Sequence, residues 1–472
     1  MDIKNKILLI WPWNPNHFRT HELFPIGLGH LANLISRDFF NLMILDCSLN
    51  DILPTSEQFK QALLDFHPDV VGISWWSNNT PIVETTIRSI KSTLPDALVC
   101  VGGPHATAIG HLLIKNDLID FVFVGESEIN FASLLKAISI YGGYPDESIC
   151  KSIGGLIFKN SQGQYFSTEQ SFVENLDNLG RIDYERLQLP AYHNQGYYYG
   201  GKLMKVNTEH SAPIVTSRGC PYNCTYCMGP ILNGHKIRRN SIDHIIQTIE
   251  ILYHDFGVKY LTIADDNFTF NPAWAEEVCL RIAHLSLSDL TIGTPNGVRM
   301  SRLTASLLYA MHSAGWKEIT IAPESGSPRT LFAMRKKVDL GIVSKVVEMC
   351  HSADLKVSAF FIIGYPNETL EDIKLTEKFI YDVNFDFVGI SIFQPLPGTV
   401  MFNKLVEDAI IPRGFIPGHY QEITFKHPFL SPEVLCDEYN RIWNDFRKFK
   451  GLPIKNRHVA SIRAQDVVST FI

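Results

Sequence analysis

The stretch Ala212–Cys227, APIVTSRGCPYNCTYC, joins an apolar run to three closely spaced cysteines. The run APIVTS has the short apolar character of a buried strand, so Cys220, Cys224 and Cys227 lie in the loop that follows it. Three thiolates in one loop can bind three irons of a cubane cluster and leave the fourth iron open to a substrate. A zinc site would need a fourth Cys or His at comparable spacing, and the neighbouring sequence offers none. The stretch therefore predicts a [4Fe–4S] cluster at the end of a strand.

The spacing Cys220-x-x-x-Cys224-x-x-Cys227, with the aromatic Tyr226 before the last cysteine, resembles the radical S-adenosylmethionine family. The resemblance implies that the fourth iron chelates S-adenosylmethionine and delivers an electron that releases a 5′-deoxyadenosyl radical. It also implies that Tyr226 packs near the adenine.

Outward from this stretch, apolar runs alternate with helical segments. Six candidate strands follow one another: APIVTS, KYLTIAD, LTIGT, KEITIAP, KVSAFFIIG and DFVGISIF. Repeated βα units predict a partial (β/α)6 TIM-type barrel over residues 206–400, with catalytic groups at the carboxyl ends of the strands.

Polar or small residues end three of these strands, where the resemblance implies contacts with S-adenosylmethionine or the substrate. They are Asp265 and Asp266 after the second strand, Glu324 and Ser325 after the fourth, and Gly364 and Pro366 after the fifth. The acidic and hydroxyl residues could instead cap the helices that follow. Turn geometry alone would also explain the glycine and the proline.

The first 140 residues show the same alternation, in the runs KILLIW, NLMIL, DVVGIS, ALVCVGG and DFVFVG. This pattern predicts a doubly wound, flavodoxin-like (Rossmann-like) parallel sheet over residues 1–140, with ligands at the carboxyl ends of its strands. The segment resembles the cobalamin-binding domain that precedes the barrel in one branch of the radical family, the class B type.

That second resemblance implies a set of corrinoid contacts. The residues are Ser74, Trp75 and Trp76 under the corrin face, Gly102 and Gly103 where the backbone approaches closely, His105 near the nucleotide tail, and Glu126 in the loop GESE. One tryptophan of the pair must belong to the core, since neighbours on a strand point to opposite faces. His105 could likewise be an ordinary surface or core residue. The motif Asp-x-His-x-x-Gly, which supplies a lower cobalt ligand in related proteins, is missing, so that ligand stays open.

Two further regions complete the predicted organisation. Residues 141–205 are expected to form a linker with a small hairpin, because apolar runs flank a turn in SIGGLIFKNSQGQYF. Residues 401–472 are expected to be helical, as in SPEVLCDEYNRIWNDFRKF.

Composition limits the classes of partner. The net charge of −7 argues against a protein that coats nucleic acid. No apolar run reaches the 18 or so residues of a membrane span, and the first one is too short for a signal peptide. A cytoplasmic protein is expected, in which nine cysteines are better explained by metal chemistry than by disulfides. Expected partners are a small-molecule substrate, apolar or ring-bearing, and an electron donor such as a flavodoxin or a ferredoxin.

Together, the cluster, S-adenosylmethionine and cobalamin predict a radical enzyme that methylates an unactivated carbon through methylcobalamin. One alternative keeps the cofactors but not methyl transfer, as in a cobalamin-dependent radical oxidoreductase or cyclase. A second is a non-catalytic corrinoid carrier or sensor. A methylthiotransferase would need a second three-cysteine cluster, for which Cys47, Cys100 and Cys150 are poorly placed.

Overall fold

The computed structural model describes residues 5–15, 23–197, 210–453, 461–462 and 468–472. The chain forms two α/β domains. The first is built on an open sheet and the second on a partial barrel. C-terminal helices pack on the barrel and the last described residues return to the first domain.

The first sheet has seven strands in the order β2-β1-β3-β4-β5-β6-β7. Their bounds are β1 Asn5–Trp11, β2 Phe40–Asp46, β3 Val70–Ser74, β4 Leu98–Gly102, β5 Phe121–Phe123, β6 Leu156–Lys159 and β7 Tyr165–Ser167. The five predicted strands are parallel, and β6 and β7 add to the edge of the sheet in antiparallel pairing. The hairpin predicted within the linker is therefore an extension of the first sheet.

Six helices among the described residues accompany this sheet: α1 Ile26–Leu34, α2 Glu57–Phe66, α3 Thr80–Thr93, α4 Pro104–Leu113, α5 Glu128–Tyr141 and α6 Glu147–Lys151. Alternate residues of β1 enter two separate cores, Ile7 and Leu9 on one face and Leu8 and Ile10 on the other. A parallel strand covered on both faces needs such a continuous apolar run, which confirms the doubly wound architecture.

The second domain begins after α7, Leu189–Asn194. Its strands are β8 Ser211–Ile214, β9 Ser217–Arg218, β10 Arg238–Arg239, β11 Tyr260–Ile263, β12 Thr291–Gly293, β13 Glu318–Glu324, β14 Lys356–Ile363 and β15 Phe387–Ile392. Its helices are α8 Gly229–Asn233, α9 Ile242–Asp255, α10 Pro272–His284, α11 Ala305–Ala314, α12 Pro328–Met334, α13 Val343–Ser352 and α14 Leu370–Asp382.

All six predicted barrel strands are present, as β8 and β11 to β15. They form two parallel sheets, β12-β11-β8 and β13-β14-β15, joined by single bridges from Ile292 to Trp316 and from Val298 to Ile321. The pairing order confirms a partial barrel. The short antiparallel pair β9–β10 was not predicted, and it brackets the three cysteines.

The C-terminal region contains α15 Val400–Glu407, β16 Glu422–Ile423, α16 Pro432–Phe449 and β17 Ser461–Ile462. The prediction of helices is met by α15 and α16, and the strand pair β16–β17 is an addition. No helix among the described residues is long and apolar enough to cross a membrane.

Polar side chains fix where several of the helices begin. A hydroxyl or amide oxygen accepts a backbone N–H of the first turn at Ser56, Ser241, Asn271, Thr304, Ser327, Thr399 and Ser431. Because each cap fixes the start of its helix, it also fixes the length of the loop between that helix and the preceding strand.

Candidate functional site

A cavity of about 330 Å³ lies where the two domains meet. From the first domain it is lined by the carboxyl ends of β3, β4 and β5 and by α1. From the second it is lined by the segments that follow β8 and β11 and by the end of α8. The lining is mainly apolar, and its polar members include Ser74, Glu126, Arg218 and Asp266.

The cysteine loop, residues 220–227, follows the lining residue Arg218 in the chain but contributes no residue to the lining itself. Its backbone is held by hydrogen bonds from Cys220 N to Gly234 O at 3.0 Å and from Cys227 N to Cys224 O at 3.2 Å. The three thiols are half-buried and form no disulfide. Burial raises the pKa of Cys227 to about 12 and also raises that of Cys220. A bound metal centre would favour the thiolate against this desolvation.

The thiols suit a cluster better than a single ion. Within the described ranges, no three Cys, His, Asp or Glu side chains converge on a point that could hold one metal ion. A cubane cluster makes a different demand, because each cysteine binds its own iron. Three half-buried thiols in one ordered loop, without a fourth protein ligand, fit that requirement.

Tyr226 reaches from the cysteine loop to the end of β13. Its hydroxyl donates to Glu324 Oε1 at 2.8 Å, and Lys336 Nζ lies 2.8 Å from the same oxygen. Glu324 is buried and has a positive φ of 72°, a conformation that costs free energy for a residue other than glycine. The structure therefore brings Tyr226 and Glu324 into direct contact.

The two adjacent aspartates point to different places. Asp265 is buried, and its carboxylate accepts hydrogen bonds of 2.6 Å from Thr216 N, Thr216 Oγ1 and Ser217 Oγ. It ties the end of β11 to the segment after β8, and burial raises its pKa to about 6. Asp266 instead lines the cavity. Neither caps α10, whose first turn is capped by Asn271, so Asp265 is a structural tie and Asp266 faces the site.

Ser325, Gly364 and Pro366 are buried and lie outside the lining of the cavity. Ser325 Oγ lies 3.0 Å from Thr376 Oγ1 on α14. Gly364 has a φ of +75° and donates its N–H to Glu368 Oε2 at 2.7 Å, while Leu435 of α16 stands over its Cα. Turn geometry accounts for the glycine, and packing against α14 accounts for the serine.

Of the corrinoid residues, Ser74, Trp76, Gly102 and Gly103 line the cavity. Trp76 is 41% exposed. Gly103 has a φ of +95°, and a Cβ there would lie 3.1 Å from the backbone of Trp75. Only glycine fits that position without strain.

Trp75 and His105 lie elsewhere. Trp75 is fully buried, and its Nε1 donates to Thr80 Oγ1 at 3.0 Å. The His105 ring lies 5.1 Å from that of Trp75, and its Nδ1 lies 2.9 Å from Ser77 Oγ. Burial lowers the pKa of His105 to about 3, so the ring is neutral. The expectation that these two side chains contact a corrinoid is not supported, because both belong to the core behind the strand ends.

Glu126 belongs to a buried group that we call the interdomain quartet: Glu126, Glu128, Arg218 and Arg238. Glu126 accepts two hydrogen bonds from Arg238, at 2.7 and 2.6 Å, and Arg218 lies 2.7 Å from Glu128. The glutamates come from the loop and helix after β5, and the arginines come from β9 and β10. The quartet therefore joins the first domain to the cysteine loop.

Sequence reasoning missed both arginines and Glu128 as partners. Arg218 stands two residues before Cys220, but nothing local in TSRGC or KIRR indicates which acid it meets. The three cysteines of the first domain are buried, Cys47 and Cys100 at 2% exposure and Cys150 at 0%. Burial raises the pKa of each thiol, so these residues behave as apolar core groups.

Comparison with known families assigns a domain to each half of the cavity. Residues 19–135 match the B12 binding domain, and residues 214–380 match the radical SAM superfamily. The cofactors of these domains are cobalamin, an iron–sulfur cluster and S-adenosylmethionine.

Three similar proteins illustrate the range of relatives. An uncharacterized methyltransferase of Pyrococcus horikoshii is 27% identical over 82% of this chain and 79% of its own length. The cytidylyl-2-hydroxyethylphosphonate methyltransferase of Streptomyces wedmorensis is 25% identical over 86% and 82%. The anaerobic magnesium-protoporphyrin IX monomethyl ester cyclase of Cereibacter sphaeroides is 23% identical over 83% and 61%.

Two solved structures share the fold. The radical S-adenosylmethionine methyltransferase TsrM of Kitasatospora setae superposes with a TM-score of 0.69 at 18% identity, over 86% of this chain and 78% of its own. The cobalamin-dependent radical enzyme OxsB superposes with a TM-score of 0.71 at 13% identity, over 95% and 67%. At these identities the likeness shows a shared fold.

Proposed function

Because the chain joins a B12-binding domain to a radical SAM domain and so belongs to the cobalamin-binding radical SAM enzymes, we propose that it methylates an unactivated carbon of a small molecule. The observation that carries the proposal is the shared cavity. Asp266 lines it and accepts a hydrogen bond from Asn233 Nδ2 at 2.8 Å. Burial is the main cause of the raised pKa of the Cys220 and Cys227 thiols, and the same carboxylate is close enough to add to it.

The residues that would hold the cofactors divide into two groups, of which only the second lines the cavity. Cys220, Cys224 and Cys227 would hold the cluster, and Ser74, Trp76 and the Gly102–Gly103 edge would hold the corrinoid. When bound, the cluster and S-adenosylmethionine would supply a 5′-deoxyadenosyl radical. The cobalamin would supply a methyl group.

The chain's own residues would position the cofactors and exclude water from the cavity. The apolar strand ends Ile73, Val101 and Phe123 line the cavity and make it unfavourable for water, and exclusion of water protects a reactive carbon from side reactions. Tyr226, fixed by Glu324, would orient S-adenosylmethionine beside the loop. The mainly apolar lining favours a substrate with an apolar or ring-bearing body.

Product analysis tests the proposal. Anaerobically reconstituted enzyme with cobalamin, S-adenosylmethionine and a candidate substrate should form deoxyadenosine and S-adenosylhomocysteine in equal amounts. The product should gain the mass of one methylene unit. Deoxyadenosine without S-adenosylhomocysteine would overturn methyl transfer.

A radical oxidoreductase or cyclase is the second candidate, and the similarity to the magnesium-protoporphyrin cyclase supports it. This reading predicts a product whose skeleton is oxidised or closed and carries no added carbon. The same mass measurement therefore separates the two chemistries.

A corrinoid carrier or sensor would not need the cysteine loop. The variant Cys224→Ala should abolish deoxyadenosine formation and the substrate conversion together. Retention of the biological function without deoxyadenosine would favour the carrier.

A further inference from the structure

One exposed surface lies directly behind the cysteine loop, at the end of α12. Phe332 is 87% exposed there, and the chain then makes the basic turn, residues 335–337. Arg335 and Lys337 are exposed, and neither forms a salt bridge to another residue in the described part of the chain. The surface thus has an aromatic centre beside two cations that are free to meet a partner.

The basic turn is held in a fixed shape. Arg335 and Lys337 both have a φ of +52°. The Arg299 guanidinium donates to Lys336 O at 2.8 Å and to Lys337 O at 2.9 Å. That guanidinium also lies 3.9 Å from the ring centre of Tyr222, a member of the cysteine loop. Arg299 therefore connects the basic turn to the cysteine loop.

A second connection leads to Cys224 itself. Thr225, the next residue, donates its N–H to Met334 O and its hydroxyl to Ala333 O, each at 3.0 Å. Ala333 and Met334 are the residues between Phe332 and the basic turn. The route from the exposed surface to a cluster ligand thus consists of a few covalent bonds and one hydrogen bond.

We propose that Phe332, Arg335 and Lys337 form the docking surface for an acidic one-electron carrier protein of the flavodoxin class. The inference rests on the proposed function, since a cluster in the cysteine loop needs an electron. On docking, the reduced carrier loses one electron and the oxidised cluster gains it. No proton or covalent bond is exchanged between the two proteins.

Charge supports this choice of occupant. The chain carries a net charge of −7, so an acidic carrier is repelled by the molecule as a whole. A local pair of unpaired cations beside the cluster loop directs the carrier to the one place where its electron is useful. Electron-transfer encounters are small, and an exposed aromatic side chain can anchor one.

Charge reversal tests the docking surface on the full-length enzyme containing its cluster. The double variant Arg335→Glu/Lys337→Glu should slow cluster reduction by reduced flavodoxin about tenfold or more at low ionic strength. It should also weaken flavodoxin binding measured by calorimetry without turnover. Phe332→Ala should weaken that binding about tenfold.

Two controls isolate the effect. Lys60→Glu/Lys136→Glu changes the net charge equally, at exposed positions on α2 and α5 of the first domain, and should leave both measurements unchanged. Reduction by dithionite, a small reagent that needs no docking surface, should be equal in all variants.

The outcomes separate the two proposals. If a cluster forms and flavodoxin reduces every variant at the same rate, the docking surface is overturned and the proposed function stands. A change in the enzyme's own sedimentation on charge reversal, without loss of flavodoxin binding, would instead assign the surface to self-association. If no cluster assembles on the unaltered chain, the proposed function fails and the docking surface with it.

Discussion

Trp75 and Trp76 are neighbours at the end of β3 with opposite environments. Trp75 is fully buried against His105 and Phe471, whereas Trp76 stands at the cavity with its ring 6.4 Å from Trp11. The alternation of a strand end separates them, so each should respond to substitution in its own way.

We expect Trp75→Ala to lower the free energy of unfolding by about 3–5 kcal/mol, because it empties a buried ring site. Trp76→Ala should change stability by less than about 1 kcal/mol and weaken cobalamin binding. Chemical denaturation of the protein without cofactor and titration with cobalamin measure the two effects. Equal loss of cobalamin affinity in both variants, at matched folded fraction, would contradict the assignment.

The positions of several site residues could be predicted from sequence, but the directions of their side chains could not. Sequence could place Asp265, Asp266, Ser74 and Gly102 at strand ends, since strand periodicity and loop composition are local. It could not tell that Asp265 turns back to Thr216, because that direction depends on packing between β8 and β11. Side-chain direction was therefore settled only by the assembled fold.

Glu318 lies at the start of β13, outside the cavity lining. It should make the stability of the folded protein depend on pH. It is 8% exposed, and burial raises its pKa to about 7 from an ordinary value near 4.5. The folded state thus holds the proton more tightly than the unfolded state. Stability should fall as the pH rises from about 4.5 to about 7, by at most about 3 kcal/mol from this group.

The variant Glu318→Gln removes that dependence. Its free energy of unfolding should match that of the unaltered chain near pH 4.5 and exceed it at pH 8. Urea denaturation at several pH values measures the difference. A constant difference across the range would show that Glu318 ionises normally in the folded protein.

At the scale of elements, the interdomain quartet links the β9–β10 pair to the loop and helix after β5. Removing the negative charge of Glu126 leaves Arg238 buried without its carboxylate partner. We expect Glu126→Gln to lower the free energy of unfolding by about 3 kcal/mol. Thermal denaturation of the protein without cofactors gives the value.

The double variant Glu126→Gln/Arg238→Met supplies the control. Since it removes both members of the ion pair, it should recover part of the loss. Additive losses would mean that Glu126 and Arg238 act separately.

Elements marked by a clear run or repeat of apolar residues were predicted from sequence. They include all six barrel strands and the five parallel strands of the first sheet. The pair β9–β10 was missed because each strand has two residues, too few for any period. The hairpin β6–β7 was found, but its attachment to β5 was not, because edge pairing depends on distant partners.

Across the whole molecule, the last described residues fasten the C-terminal region to the first domain. The Glu84 carboxylate accepts a hydrogen bond from Ser469 Oγ at 2.5 Å and another from Thr470 N at 3.0 Å. The Phe471 ring packs on Trp75 at 6.2 Å and under the Arg88 guanidinium at 4.8 Å. This contact lies behind the strand ends that line the cavity.

We expect Phe471→Ala to lower stability by about 2–4 kcal/mol and to speed hydrogen exchange in α3, which carries Glu84 and Arg88. Phe332→Ala, which truncates an exposed ring, should leave both unchanged and serves as the matched control. Unaltered exchange in α3 of the Phe471 variant would show that the contact contributes little.

The cavity between the domains also has a consequence for biogenesis. During synthesis the first domain can fold while the barrel that closes the opposite wall is still unmade. A corrinoid captured at that stage would sit on an open ledge and exchange with the surroundings. If the corrinoid binds in this cavity as proposed, its retention would require a completed barrel, since only then are both walls of the cavity present.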